Sequence, residues 1–166
     1  MRNIILGLAA VATLAACAGR PDPTPTGPTG PTTPPVTQPS GPTPGSVEDF
    51  RVSVGDRVFF GYDRFDLSTE ARAVLERQAA WLRRYPNTRV LVAGNCDERG
   101  TREYNLALGA RRAAAARDFL VSLGIDGGRI ESVSYGKERP LDARANEEAW
   151  SVNRNAHTQI VSGAVS

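Results

Sequence analysis

The sequence predicts an α/β fold, an α+β sandwich with its helices on one sheet, over residues 47–166. Three observations carry this. Segments of strand-like and helix-like hydrophobic spacing alternate, glycine or proline stands at most of the joints, and 120 residues are enough to bury a core without crosslinks.

Val58-Phe59-Phe60, closed by Gly61, reads as the first strand. Ser68 can cap a helix from Thr69 to Tyr85, with Ala71, Val74, Leu75, Ala79 and Leu82 on one face and Pro86 as its stop. Val90 to Ala93 is a near-continuous apolar run, as expected of a strand covered on both sides or lying at the sheet centre. A second helix is expected from Thr101 or Tyr104 to Leu123, burying Leu106, Gly109, Ala113, Ala116, Leu120 and Leu123, with Gly124 where a left-handed cap is wanted. A third strand over Ile130 to Tyr135, a short helix near Glu147 to Val152 and a last strand over Ala156 to Val161 complete the order β-α-β-α-β-(α)-β. Strand order is not readable from the sequence.

Two segments precede this domain. Residues 1–16 have one early charge, Arg2, and an apolar run from Ile4 to Leu14, the pattern of an export signal and too short for a spanning helix. From Ala18 to Ser46 the chain is mostly Pro, Thr and Gly, with only Arg20 and Asp22 charged. Such a composition cannot repay the entropy of ordering, so a spacer is expected, reaching up to ~90 Å if extended. Ten of the twelve prolines lie between Pro21 and Pro44.

Residues 47–166 carry 18 basic and 17 acidic side chains, which leaves little non-specific pull toward nucleic acid. One histidine and two cysteines give no metal-ligand pattern, and no cofactor is expected. The informative stretch is Gly94-Asn95-Cys96-Asp97-Glu98-Arg99-Gly100-Thr101, a charged loop leaving a buried strand and entering a helix. Arg111 and Arg112 follow two turns or more into that helix beside small residues, so at least one should point back at the loop. A carboxylate and a guanidinium across a cleft fit the ammonium and carboxylate of an amino acid head. The same pair can instead be an internal salt bridge that fixes the loop.

Cys96 and His157 offer a nucleophile and a base for an enzymatic reading. No third orienting group is identifiable, and the neighbouring carboxylates should raise the thiol's pKa. A buried, inert cysteine is expected, and a hydrolase is the weaker alternative. Asp97 and Glu98 are adjacent in a loop, where side chains usually point apart.

Phe60-Gly61-Tyr62-Asp63-Arg64-Phe65-Asp66, the Gly94 to Thr101 segment, Tyr104-Asn105, Leu108-Gly109-Ala110-Arg111-Arg112-Ala113, Tyr135-Gly136-Lys137-Glu138-Arg139-Pro140 and Asn153-Arg154 resemble the OmpA-like peptidoglycan-binding family. Leu14-Ala15-Ala16-Cys17 resembles the bacterial lipobox, which makes Cys17 the acylated N-terminus. With the proline-rich tether of residues 17–46, the combination is similar to the peptidoglycan-associated lipoprotein family.

The resemblance implies helices packed on a four-stranded mixed sheet and a non-enzymatic function, the binding of diaminopimelate in peptidoglycan stem peptides. It aligns Asp97 and Arg112 with the key aspartate and arginine. It further implies that Asp63, Phe65, Asp66, Arg99, Thr101, Asn105 and Leu108 line the pocket, with Arg154 nearby. Two departures are Asn95-Cys96 before the aspartate, where the family often has His or Thr, and Asn155 where a second arginine is familiar. The implied partners are peptidoglycan, TolB and other Tol proteins, and the outer membrane through the lipid, with a role in constriction at division. A general wall tether without the Tol link is the alternative.

Overall fold

The structure, a computed structural model, describes residues 41–165. The predicted signal segment, Cys17 and the tether up to residue 40 lie outside the described residues.

The elements are α1 (Val47–Asp49), a π-helical turn (Phe50–Val54), β1 (Arg57–Phe59), α2 (Thr69–Arg84), β2 (Arg89–Asn95), α3 (Arg102–Ser122), a 3₁₀ turn (Gly127–Arg129), β3 (Ile130–Gly136), α4 (Glu147–Asn153) and β4 (Asn155–Ser162). Strand order is β1-β4-β2-β3. β2 runs parallel to β3, and β4 runs antiparallel to both β1 and β2, so the sheet is mixed. The expected sandwich is therefore observed, and the Val90–Ala93 run is an inner strand.

Helix α2 forms as its sequence dictates. Ser68 Oγ accepts from the Ala71 N–H, and Ala71, Leu75, Ala79 and Leu82 are buried. The π-helical turn was not foreseen, because tertiary contacts hold it: Phe50 meets Trp81 edge-on at 5.0 Å, and the Trp81 indole N–H donates to Asp49 at 2.9 Å. At the other end of α2, the Arg129 guanidinium donates to the carbonyls of Leu82, Tyr85 and Thr88 at 3.0, 2.9 and 2.9 Å, satisfying acceptors that a helix end leaves open.

Helix α3 lies close on β2 because two glycines meet. A Cβ on Gly94 would stand 1.8 Å from the Gly109 carbonyl oxygen. The buried stripe of α3 is Asn105, Leu108, Gly109, Arg112, Ala113, Ala116 and Leu120. Leu106 is a correction: it is exposed, because Asn105, Leu108 and Arg112 take the inward direction at that end. Gly124 has the left-handed conformation expected of it, φ 90°.

The described chain enters the domain beside its exit. The Val165 N–H donates to the Gly45 carbonyl at 3.0 Å, and Ser46 Oγ caps α1.

Candidate functional site

The loops after β1 and β2 and the first turns of α3 enclose a cleft of about 190 Å³. Its lining includes Tyr62, Asp63, Cys96, Asp97, Arg99, Tyr104, Asn105, Leu108 and Arg112. Six residues singled out in the sequence thus come together: Asp63, Asp97, Arg99, Asn105, Leu108 and Arg112.

Asp97 follows directly on the end of β2 and is 4% exposed. Its Oδ1 accepts from the Arg99 backbone N–H at 3.1 Å and Nε at 3.3 Å; its Oδ2 accepts from Arg99 Nη2 at 2.6 Å and Arg154 Nη1 at 3.3 Å. Burial pushes this carboxyl up, but the bonds from Arg99 and Arg154 outweigh it and hold the group below the ordinary carboxylate range. Arg154, itself buried, also donates to the Phe60 carbonyl and pairs with Glu147 Oε1 at 2.7 Å.

Arg112 is fully buried. Its Nε donates to the Arg64 carbonyl at 2.8 Å, Nη1 to Asn95 at 2.8 Å and Nη2 to Gly61 at 3.1 Å. One guanidinium therefore ties the loop after β1 to the end of β2. Three of its five N–H groups are used this way, and the Cys96 thiol also lies within its hydrogen-bonding reach. Burial pulls it below the ordinary guanidinium value, with Cys96 and Asp97 opposing. Arg111 is exposed, its guanidinium 5.6 Å from the Phe65 ring centroid, so the inward-pointing member of the pair is Arg112.

Asn105 Nδ2 donates to the carbonyls of Arg99 at 2.8 Å and Thr101 at 3.1 Å, which closes the loop on the helix start. At the rim, Asp63 has a left-handed backbone, φ 55°, and accepts from the Tyr104 hydroxyl. Thr101, Phe65 and Asp66 stand outside the lining. Thr101 Oγ1 caps α3 by accepting from the Tyr104 N–H. Asp66 pairs with Arg64 at 2.6 Å, and with Phe65 it borders a separate hollow near Phe119.

Sequence reasoning did not single out Trp150 or Glu147. Arg99 lies between two rings, 4.2 Å from the Tyr62 centroid and 4.1 Å from that of Trp150, and Glu147 Oε2 is 3.8 Å from its Nη1. No local signal marks these α4 residues, about fifty positions downstream in the chain.

An OmpA family model matches residues 59–154. The chain belongs to the OmpA family. A curated relative from Mesorhizobium japonicum, a peptidoglycan-associated lipoprotein, is 46% identical over 161 residues, covering 97% of this chain and 92% of the relative. The protein of that name from Rhizobium meliloti is 55% identical over 122 residues, covering 74% of this chain and 69% of its own. Among solved structures, the peptidoglycan-associated lipoprotein of Burkholderia pseudomallei matches with TM-score 0.62 at 40% identity, over 63% of this chain and 89% of that one. The C-terminal domain of Helicobacter pylori MotB matches with TM-score 0.61 at 19% identity, over 64% of this chain and 84% of that one, a likeness of fold alone.

The OmpA-family domain sets Cys96 and His157 apart. Cys96 is buried in the cleft wall, its thiol donates to the Asn105 carbonyl, and burial raises its pKa, with Arg112 opposing and Asp97 assisting. The direction is the one expected, but burial leads and the carboxylate is secondary. His157 borders other hollows and lies 3.1 Å from Asp56 and 3.2 Å from Arg57. Asp97 and Glu98 also diverge: Glu98 is exposed and accepts from the Trp150 indole.

Proposed function

We propose that this protein binds peptidoglycan without covalent chemistry, taking the free amino acid head of a stem-peptide diaminopimelate into the cleft. The observation that carries the reading is a buried carboxylate, Asp97, and a buried guanidinium, Arg112, lining one cleft of about 190 Å³. The ligand ammonium goes to Asp97 and its carboxylate to the Arg112 guanidinium. Charge-assisted bonds shielded from water contribute about 1.5 to 3 kcal/mol each. Asp63, Asn105 and Leu108 complete the walls, while Phe65, Asp66 and Thr101 act from outside the lining. Membership in the OmpA family and relatives named for peptidoglycan association support the reading.

The wider proposal follows the family resemblance. Acylated Cys17 holds the protein in the outer membrane, residues 17–46 span the gap, and the domain grips the wall from the periplasmic side. TolB and other Tol proteins are its proposed partners, in envelope integrity and in constriction of the outer membrane at division.

The test is co-sedimentation of the full chain, in detergent, with purified sacculi. Wild type pellets and Asp97→Asn does not, while no soluble muropeptide is released. Failure of wild type to pellet refutes the reading, and release of muropeptides restores the hydrolase. TolB co-purification separates the Tol-linked protein from a general wall tether.

A further inference from the structure

A carboxylate offers about four lone-pair sites on its two oxygens. In Asp97 all four are taken, one by the Arg99 main-chain N–H, two by the Arg99 guanidinium and one by Arg154. Arg154 is not part of the cleft lining, whereas Arg99 is. The two ends of the cleft are therefore unequal. An incoming carboxylate meets a guanidinium with no carboxylate partner of its own, but an incoming ammonium finds its acceptor already filled by side chains of the same sign.

The surroundings of Arg99 give that side chain somewhere to go. Its guanidinium lies between the rings of Tyr62 and Trp150, a slot that constrains its plane but makes no directional bond along it. Beyond it, 3.8 Å from Nη1, stands Oε2 of the exposed Glu147 carboxylate, whose Oε1 is held by Arg154 at 2.7 Å, so one oxygen is engaged and the other is open to Arg99. A shift of about 1 Å brings Nη1 from 3.8 Å to hydrogen-bond distance of Glu147 Oε2, and a larger swing of the side chain withdraws Nε and Nη2 from Asp97 while the main-chain N–H stays on Oδ1.

We infer that Arg99 is a displaceable latch on the ammonium position of the cleft: the closed form holds Asp97, and a ligand ammonium opens it by sending Arg99 along the Tyr62–Trp150 slot to Glu147. The inference rests on the wall-binding reading and adds its selectivity. Only a positively charged nitrogen replaces what Arg99 gives to Asp97. An amine acylated by crosslinking is neutral and has one N–H, so it leaves the latch shut. A latch open about one-tenth of the time weakens apparent affinity about tenfold, and that factor is recovered when the latch is removed.

The experiment measures binding of the full chain in detergent to two soluble probes. One is a disaccharide-tripeptide with a free amine on its diaminopimelate, and the other is the same molecule with that amine acetylated. Wild type, Arg99→Gln and Arg99→Lys are compared, each first shown by circular dichroism to be folded, and all three are also pelleted with sacculi. The expected result is about tenfold tighter binding of the free-amine probe by Arg99→Gln, a smaller gain for Arg99→Lys, and no gain for the acetylated probe. Arg99→Lys keeps the charge but loses the planar fork, so a gain there separates a latch from a general change in field. Equal or weaker binding of the free-amine probe by both variants, with wild type still pelleting, overturns the latch and leaves the wall-binding reading intact. A gain confined to Arg99→Gln, or one shared equally by the acetylated probe, also overturns it. Failure of every form to bind either probe or sacculi overturns the wall-binding reading and the latch with it.

Discussion

Gly94→Ala puts one methyl group at the closest approach of strand and helix. The new Cβ would lie 1.8 Å from the Gly109 carbonyl oxygen, 2.7 Å from its carbon and 3.1 Å from the Ala113 nitrogen. Ordinary contact begins near 3.4 Å, so β2 and α3 must separate there by about 1.6 Å. The obstacle is helix backbone, which cannot rotate aside as a side chain does. Overpacking costs about 1 to 3 kcal/mol in general, and a rigid obstacle sets this case at about 3. At roughly 3 to 5 °C per kcal/mol for a domain of this size, thermal unfolding followed by circular dichroism should drop by about 10 °C. Asp97 follows β2 and Arg112 belongs to α3, so the same separation widens the cleft, and the variant should lose sacculus binding at temperatures where it is still folded. Gly124→Ala is the control. Nothing lies within 4 Å of its Cβ, and only its φ of 90° opposes the change, at about 1 kcal/mol. A Gly94→Ala protein that unfolds within about 2 °C of wild type, or no lower than Gly124→Ala, refutes the reasoning.

Arg112→Met removes the buried charge but orphans the carbonyls of Gly61, Arg64 and Asn95. At about 1 kcal/mol each, urea unfolding should lose about 3 kcal/mol, so this variant fails as a wall binder partly by loosening the site. Asp97 has a lowered native pKa, so its stabilising contribution is complete above the ordinary carboxylate value near 4 and is lost as pH falls through the native value. Asp97→Asn should therefore flatten the acid limb of a stability-versus-pH curve below about pH 4 and leave its slope at neutral pH unchanged. Cys96 should resist alkylation at pH 8 in the folded Cys17→Ser chain and react at the rate of a free thiol in denaturant, since burial raises its pKa.

Much of this fold is written locally. Ser68, Pro86 and Gly124 each act through their own backbone neighbourhood, and the helices they bound fall within a residue or two of where the spacing puts them. That at least one of Arg111 and Arg112 turns inward was also legible from the small residues around them, whereas the choice of Arg112 came with the family resemblance. What the chain order conceals is convergence. Leu106 looks like core until Asn105 and Arg112 claim its direction, and the π-helical turn at Phe50 exists because Trp81 lies beside it. Arg99 reads as one more charged loop residue until α4 brings Trp150 and Glu147 alongside.

The placement of the two ends matters when the protein is pulled. The chain enters at Gly45 beside Val165, just beyond the end of β4 whose Ser162 pairs with Arg89. Asp97 stands past the opposite end of β2, two residues after Asn95. Seven residues of strand, about 23 Å, separate these poles. On the wall-binding reading, a pull between the N-terminal entry and a ligand in the cleft reaches the sheet through β1 and loads its three residue pairs with β4 along the strand, in shear. A peeling load would break them one at a time. Rungs loaded in shear yield together, which suits the proposed role of a link held under tension.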